Sequence, residues 1–196
     1  MLAAVAELPQ VAPAVHRARD AIDTLLWDRS ARSVAEQLAT QSRLRGGWAS
    51  AAIEGAEIPI DSVLHGRIED SPMGAVNTRA VTLNAELPKL ADVFERAPLQ
   101  AWARMSSLVS AGAVDESLVG RPRPDDQADD PLRLGAVPPA AEAVDRVNAL
   151  GIVLTEPTAA PALVVAAIAH AELAVVRPFA SGSGLVARGT IRLVLA

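Results

Sequence analysis

Glycine and arginine residues near the end of the chain form the pattern best suited to chemistry. The segment from Arg177 to Arg188 reads RPFASGSGLVAR and places Gly182, Ser183 and Gly184 in its centre. Glycine adopts backbone angles closed to other residues, so consecutive N–H groups can converge on a phosphate at a helix N-terminus. The pattern therefore predicts an anion-binding turn, with Arg188 adding a positive charge one turn into the following helix.

Acid–base and metal chemistry have few candidate residues. The chain has no cysteine, and its three histidines, His16, His65 and His170, do not show metal-ligand spacing. No metal site is predicted. His170 lies seven residues before Arg177, which on a helix places both on one side. Either His170 packs as a structural residue, the alternative that we favour, or it acts as a base near the turn.

The turn requires a helix on each side. Residues Pro161 to Val176 form the most hydrophobic run but contain His170 and Glu172, and the run is shorter than the roughly 20 residues of a membrane span. We therefore predict a buried central helix at Pro161–Val176, followed by the turn and a further helix.

The rest of the chain also reads as helical. Hydrophobic residues make up 51% of the sequence and aromatic residues only 3%, a balance that favours packed helices over an aromatic-rich sheet. Apolar residues recur at spacings of three, four and seven, so an all-α fold is predicted. The predicted helices are Ala14–Leu26, Ser30–Ala52, a short helix from Asp61 to Leu64, Met73–Arg96 with a kink at Pro88, Pro98 to about Gly112, and Pro139–Leu150.

One long segment lacks helical character. Residues Gly120 to Pro138 contain four prolines and an acidic run at Asp125–Asp130, which predicts an irregular loop. Its arginines, Arg121, Arg123 and Arg133, either attract an anion or, as we favour, solvate the surface.

Charge and composition exclude several classes of protein. The formal charge is −5 and the pI about 5.2, without a basic tract, so binding to nucleic acid is not expected. Residues Met1 to Leu8 lack basic residues and include Glu7, so no secretory leader is expected. We predict no membrane association and a cytoplasmic location.

Two short motifs, taken together, resemble the Fic-domain (Fido) family. RPFASGSGLVAR is similar to the family signature H-P-F-x-D/E-G-N-G-R-x-x-R, and SAAIEG at Ser50–Gly55 is similar to its inhibitory-helix pattern, S/T-x-x-x-E-G/N. The segment from Gly120 to Pro139 loosely resembles the family's flap, which aligns a target beside a nucleotide. The resemblance implies a Fic-type helical bundle with a short flap or β-hairpin insertion, in which Pro178 and Phe179 support the loop.

The resemblance also implies a division of the chain. Residues 1–60 would form an N-terminal helical region with the inhibitory motif, and residues 61–196 a Fic-like core. The apolar run Ile191–Leu195 ends the sequence soon after Arg188. Either the core is shortened there, which we favour, or this run docks against a partner or a second copy of the chain.

Active members of the family transfer AMP from ATP to a protein hydroxyl, with the motif histidine as base, an acidic residue for Mg²⁺ and asparagine and arginines for phosphates. In this sequence those positions hold Arg177, Ser181, Ser183 and Leu185, and Arg188 is retained. Arginine stays protonated at accessible pH and cannot accept the proton. A serine hydroxyl is a weak ligand for Mg²⁺, so binding of Mg²⁺ is not favoured. ATP remains the candidate ligand.

The inhibitory motif is intact at Ser50, Glu54 and Gly55. In autoinhibited relatives its glutamate pairs with the second motif arginine, here Arg188, and displaces the γ-phosphate of ATP. The pair is equally consistent with restraint of a nucleotide pocket and with a structural clamp.

Three functions remain open. The favoured one is a regulatory pseudoenzyme of the Fic fold that binds a phosphate ligand. Its expected partner is an unidentified protein target or regulator, and assembly into a homo-oligomer is an open alternative. The second is an adenylyltransferase-like enzyme that transfers AMP or another phosphate-containing group by an altered mechanism, using Ser183, His170 or water. The third is an antitoxin-like or scaffold-like helical module.

Overall fold

The computed structural model describes residues 2–196, and within this range all regular structure is helical. No strand is present in that range, which confirms the predicted all-α fold. The helices are α1 (Leu2–Ala6), α2 (Val11–Trp27), α3 (Arg29–Ser33), α4 (Ala35–Ile53), α5 (Ile60–Leu64), α6 (Pro72–Arg96), α7 (Pro98–Ser110), a 3₁₀ turn (Glu116–Leu118), α8 (Ala140–Thr155), α9 (Ala162–Val176) and α10 (Ser183–Val194).

The predicted helix Ser30–Ala52 forms two helices in the structure. It is divided into α3 and α4 at Val34, whose backbone (φ −123°, ψ 22°) lies outside the helical region. The Asp28 carboxylate caps the start of α3 by accepting the N–H groups of Ser30 (2.7 Å) and Ala31 (3.2 Å). The prediction of one continuous helix is therefore wrong at Val34, a position that no glycine or proline marks in the sequence.

Helices α9 and α10 form the centre of the bundle. Helix α9 carries the fully buried Ala169 and Leu173, which confirms the central helix predicted from the hydrophobic run. Helix α10 packs against α4, α6, α7 and α9. The buried Trp102 of α7 donates its indole N–H to the Thr190 hydroxyl of α10 at 2.9 Å, and its ring meets Phe94 edge to face. The core therefore holds both helices that flank the glycine-rich turn.

Helix α4 connects the N-terminal part of the chain to this core. At Gly47 the backbone of α4 approaches α6 so closely that a β-carbon would lie 2.7 Å from the α-carbon of Val81. The close approach fixes α4 along α6, and the end of α4 thereby reaches the N-terminus of α10. Helices α1 to α3 have no buried residue among those described.

Among residues 2–196, no helix is both long enough and apolar enough to cross a bilayer.

Candidate anion-binding site

The loop between α9 and α10 is built from two left-handed residues. Helix α9 ends at Arg177 (φ 43°), and Gly182 (φ 75°) precedes α10. Between them the side chain of Phe179 is buried in the core. The Ser183 hydroxyl accepts the N–H of Phe179 and donates to its carbonyl oxygen, both at 3.1 Å. Ser183 therefore braces the loop with its side chain, and only its backbone N–H remains for a ligand.

The first turn of α10 presents backbone donors. Val186 donates its N–H to Gly182 at 3.1 Å, whereas the N–H groups of Ser183, Gly184 and Leu185 precede the first intrahelical bond. These donors and the helix dipole give the N-terminus a partial positive charge. The Leu185 side chain is buried in the core cluster, so it takes no part in holding a phosphate.

Glu54 lies directly against this N-terminus. A β-carbon on Gly184 would overlap the Glu54 carboxylate oxygen Oε1, so the glycine makes room for it. The carboxylate forms an ion pair with the Arg188 guanidinium, and the two side chains are only 11% and 14% exposed. Arg188 also donates to the Ser50 hydroxyl (2.9 Å) and to its carbonyl oxygen (3.2 Å). The residues of the two sequence motifs thus meet in one cluster.

The position of Glu54 follows from how α4 ends. Helix α4 stops at Ile53, and Gly55 (φ 85°) turns the chain away in a conformation that favours glycine. Trp48 then donates its indole N–H to the carbonyl of Ile58 at 2.8 Å, and buried Asn77 donates to the carbonyl of Ala56 at 2.7 Å. These long-range bonds hold the turn and fix the direction of Glu54.

Arg177 is paired with the irregular segment between α7 and α8. Its side chain is 5% exposed, and its Nη1 lies 2.9 Å from the Asp130 carboxylate. Arg177 also donates to the carbonyl of Gly135. Hydrogen bonds from the Leu134 and Gly135 N–H groups and the Arg177 charge lower the pKa of Asp130, Leu134 being the largest cause. The Arg177 charge is therefore paired with an acidic side chain of this segment.

The segment from Gly120 to Pro138, here called the flap, is held by a buried arginine. Arg123 is 2% exposed and donates to the carbonyl of Arg177 at 3.0 Å, and also to the carbonyls of Asp125 and Pro138. The surface role favoured for Arg123 is therefore wrong. No signal in the sequence marks this role, because its acceptors are backbone carbonyls up to 54 residues away.

A cavity of about 250 Å³ lies between the end of α4, the flap, α9 and α10. Its wall carries the guanidinium groups of Arg177 and Arg188 and the imidazole of His170, together with apolar flap residues such as Leu132 and Leu134. The first-turn residues Gly182 to Gly184 and Glu54 also line it. One space thus combines amide donors, guanidinium groups and an apolar wall.

His170 faces this cavity, although a packed structural role was favoured for it. Partial burial is the main cause that lowers its pKa below 6.5, and the nearby charge of Arg188 lowers it further. The imidazole is therefore neutral at pH 7 and able to accept a proton.

The donor set for Mg²⁺ is poor. A neighbouring cavity of about 330 Å³ adjoins the first one and shares Glu54, Asp129 and Asp130 with it. These three residues supply its carboxylates, and Ser181 contributes a hydroxyl. Glu54 and Asp130 are already paired with arginines. Residues 2–196 contain no group of three or more side chains arranged to hold a metal ion. The carboxylates present therefore do not fit a resident Mg²⁺.

The fold, unlike the sequence, has a clear counterpart among known proteins. No family model matches the sequence, and no curated protein matches it. A crystal structure of a Fic family protein from Desulfovibrio desulfuricans G20 superposes with a TM-score of 0.73 at 23% identity, over 93% of this chain. The matched part is 57% of that protein's chain. The likeness confirms the predicted Fic-type helical fold.

Proposed function

We propose that this protein is a regulatory member of the Fic fold that binds a phosphate-bearing ligand at the N-terminus of α10, under restraint by Glu54. ATP is the first candidate ligand. Residues 1–60 are the regulatory part in this proposal, and residues 61–196 are the ligand-binding core. An unidentified protein is the target or regulator.

The position of the Glu54 carboxylate is the observation that carries the proposal. An anion at a helix N-terminus is stabilised by the free amides and the dipole, and Arg188 adds a full charge. Glu54 supplies that negative charge itself and lies against Gly184. A phosphate group placed there would meet like charge, so its binding requires that Glu54 move away.

The residues around the loop support loss of the usual transfer chemistry. An arginine does not serve as a proton acceptor, and the Arg177 side chain is buried and bonded to Asp130. The flap backbone is also bonded to the loop, through the N–H of Arg123 on Pro178 O (2.9 Å) and of Asp129 on Ala180 O (3.2 Å). A flap fixed in this way favours ligand binding over the docking of a target segment.

Replacing Glu54 with glycine is expected to strengthen ATP binding by about tenfold or more, because it removes a negative charge from the phosphate position. The measurement is calorimetric titration of ATP, with and without Mg²⁺, into the wild type and Glu54→Gly. Glu57→Gly is the matched control, since Glu57 is an exposed glutamate three residues along the same turn. Its affinity should equal that of the wild type.

The titrations of Glu54→Gly and of its control distinguish a restrained nucleotide pocket from a protein that does not bind ATP. Tighter binding in Glu54→Gly alone supports a restrained pocket, and an effect independent of Mg²⁺ agrees with the poor donor set. No binding of ATP to any variant would overturn the nucleotide proposal and leave a helical protein-interaction module.

His170 favours a second candidate, an AMP transferase with a substitute base. In that reaction the neutral imidazole takes the proton of a target hydroxyl, the oxygen bonds to the α-phosphorus of ATP, and pyrophosphate leaves. We expect any transfer of label from α-labelled ATP by Glu54→Gly to disappear in Glu54→Gly/His170→Asn. Its rate should rise with pH to a plateau, with a midpoint below 6.5, because burial and Arg188 lower the pKa of the base. A labelled product that survives His170→Asn would contradict this role.

A further inference from the structure

A separate cavity lies away from the Glu54–Arg188 pair, between α4, α6 and α10. Its volume is about 250 Å³, and two arginines on different helices face it, Arg43 of α4 and Arg192 of α10. The other lining residues are Ala39, Ser42, Asn84, Leu87, Pro88, Leu193 and Ala196. The cavity thus combines two guanidinium groups with apolar walls.

Arg192 is held across the surface of α4. Its Nη2 donates to the carbonyl of Ser42 at 3.1 Å. The guanidinium lies so close to Gly46 that a β-carbon there would overlap Nη2. Gly46 therefore leaves the space that Arg192 occupies, and the guanidinium is positioned by α4 beside Arg43.

The two charges lack an acidic partner. Within residues 2–196, no carboxylate lies within 4.0 Å of either guanidinium, and the hydrogen bond of Arg43 goes to the neutral Thr40 hydroxyl at 3.1 Å. Partial burial lowers the pKa of Arg192, and the charge of Arg43 lowers it further. The Arg192 guanidinium thus lies beside a like charge, and a bound anion would offset it.

We propose that this cavity is a binding site for the phosphate monoester of a small organic molecule. A phosphate monoester carries close to two negative charges at neutral pH, which balances two guanidinium groups, and their planar donors suit its oxygens. The cavity is several times larger than the roughly 30 Å³ of one water, so it leaves room for an organic group against Leu87 and Leu193.

The site stands independently of the proposed function. Arg188 and Arg192 lie one turn apart on α10, and they contact Ser50 and Ser42, two turns apart on α4. A substitution at Arg43 leaves the Glu54 cluster in place, so the two sites can be tested separately.

Phenyl phosphate and inorganic phosphate are the probes, titrated at pH 7 into ¹⁵N-labelled protein. The readouts are the side-chain Nε–H signal of Arg192 and the backbone amides of residues 42–46. Arg43→Gln removes one charge. Gly46→Ala keeps every charge and displaces only the flexible end of Arg192. Arg45→Gln is the matched control, because Arg45 is an exposed arginine on the same helix that does not line the cavity.

We expect saturable shifts with phenyl phosphate that weaken about tenfold or more in Arg43→Gln and in Gly46→Ala, and by less than about twofold in Arg45→Gln. Absence of saturable shifts in the wild type, or equal weakening in all three variants, would overturn the site. Inorganic phosphate should bind more weakly than phenyl phosphate, and equal affinity would overturn the assignment of an organic ester.

Discussion

Replacing Arg123 with alanine is expected to lower the free energy of unfolding by about 3 kcal/mol and to release the flap. The guanidinium is nearly fully buried and joins three backbone carbonyls, those of Arg177, Asp125 and Pro138. Its removal leaves the carbonyl of Arg177 buried without its charged donor. The variant also avoids the free-energy cost of burying a charged guanidinium, so the loss of stability stays below the sum of three charged hydrogen bonds.

Two measurements check this result. Denaturant unfolding gives the loss of stability, and limited proteolysis should cut within residues 124–138 faster in the variant than in the wild type. Arg121→Ala is the control, because Arg121 is an exposed arginine in the same segment. If Arg123→Ala and Arg121→Ala matched the wild type in both stability and cleavage, the flap would not depend on Arg123.

Replacing Gly182 with alanine is expected to lower the free energy of unfolding by about 2–4 kcal/mol and to distort the glycine-rich turn. The left-handed conformation of this residue (φ 75°) disfavours any side chain and accounts for about 1 kcal/mol. A β-carbon would also lie 2.6 Å from Cγ2 of Val109, so α7 and the loop must move apart. The two causes add because one is local to the backbone and the other is a tertiary contact.

The chain provides a control that separates these causes. Gly112 has a similar conformation (φ 71°) with nothing within 4 Å of its β-carbon position, so Gly112→Ala should cost only about 1 kcal/mol. Shortening the neighbour in Gly182→Ala/Val109→Ala should recover part of the difference, relative to Val109→Ala alone. Equal losses for the two glycine variants, measured by thermal and denaturant unfolding, would show that the contact with Val109 carries no energy.

Helix type and the glycine-rich turn were predictable from the sequence because both depend on local chemistry. Apolar residues at helical spacing predicted α6, a continuous hydrophobic run predicted α9, and Gly182 has the left-handed conformation that favours glycine. The joining of α3 to α4 in the prediction was wrong, since the backbone of Val34 (φ −123°, ψ 22°) leaves the helical conformation although no glycine or proline marks the position. The contact of Glu54 with Arg188 was expected from the family resemblance, not from spacing.

Most of the helices, the glycine-rich turn and the absence of a histidine at position 177 follow from the sequence alone. Which charges meet depends on the packing of the folded chain. Arg123 donates to three backbone carbonyls, Arg177 pairs with Asp130 of the flap, and Arg192 lies beside Arg43. These pairings depend on how distant segments pack, because a long charged side chain finds its partner only after burial has brought its neighbours together.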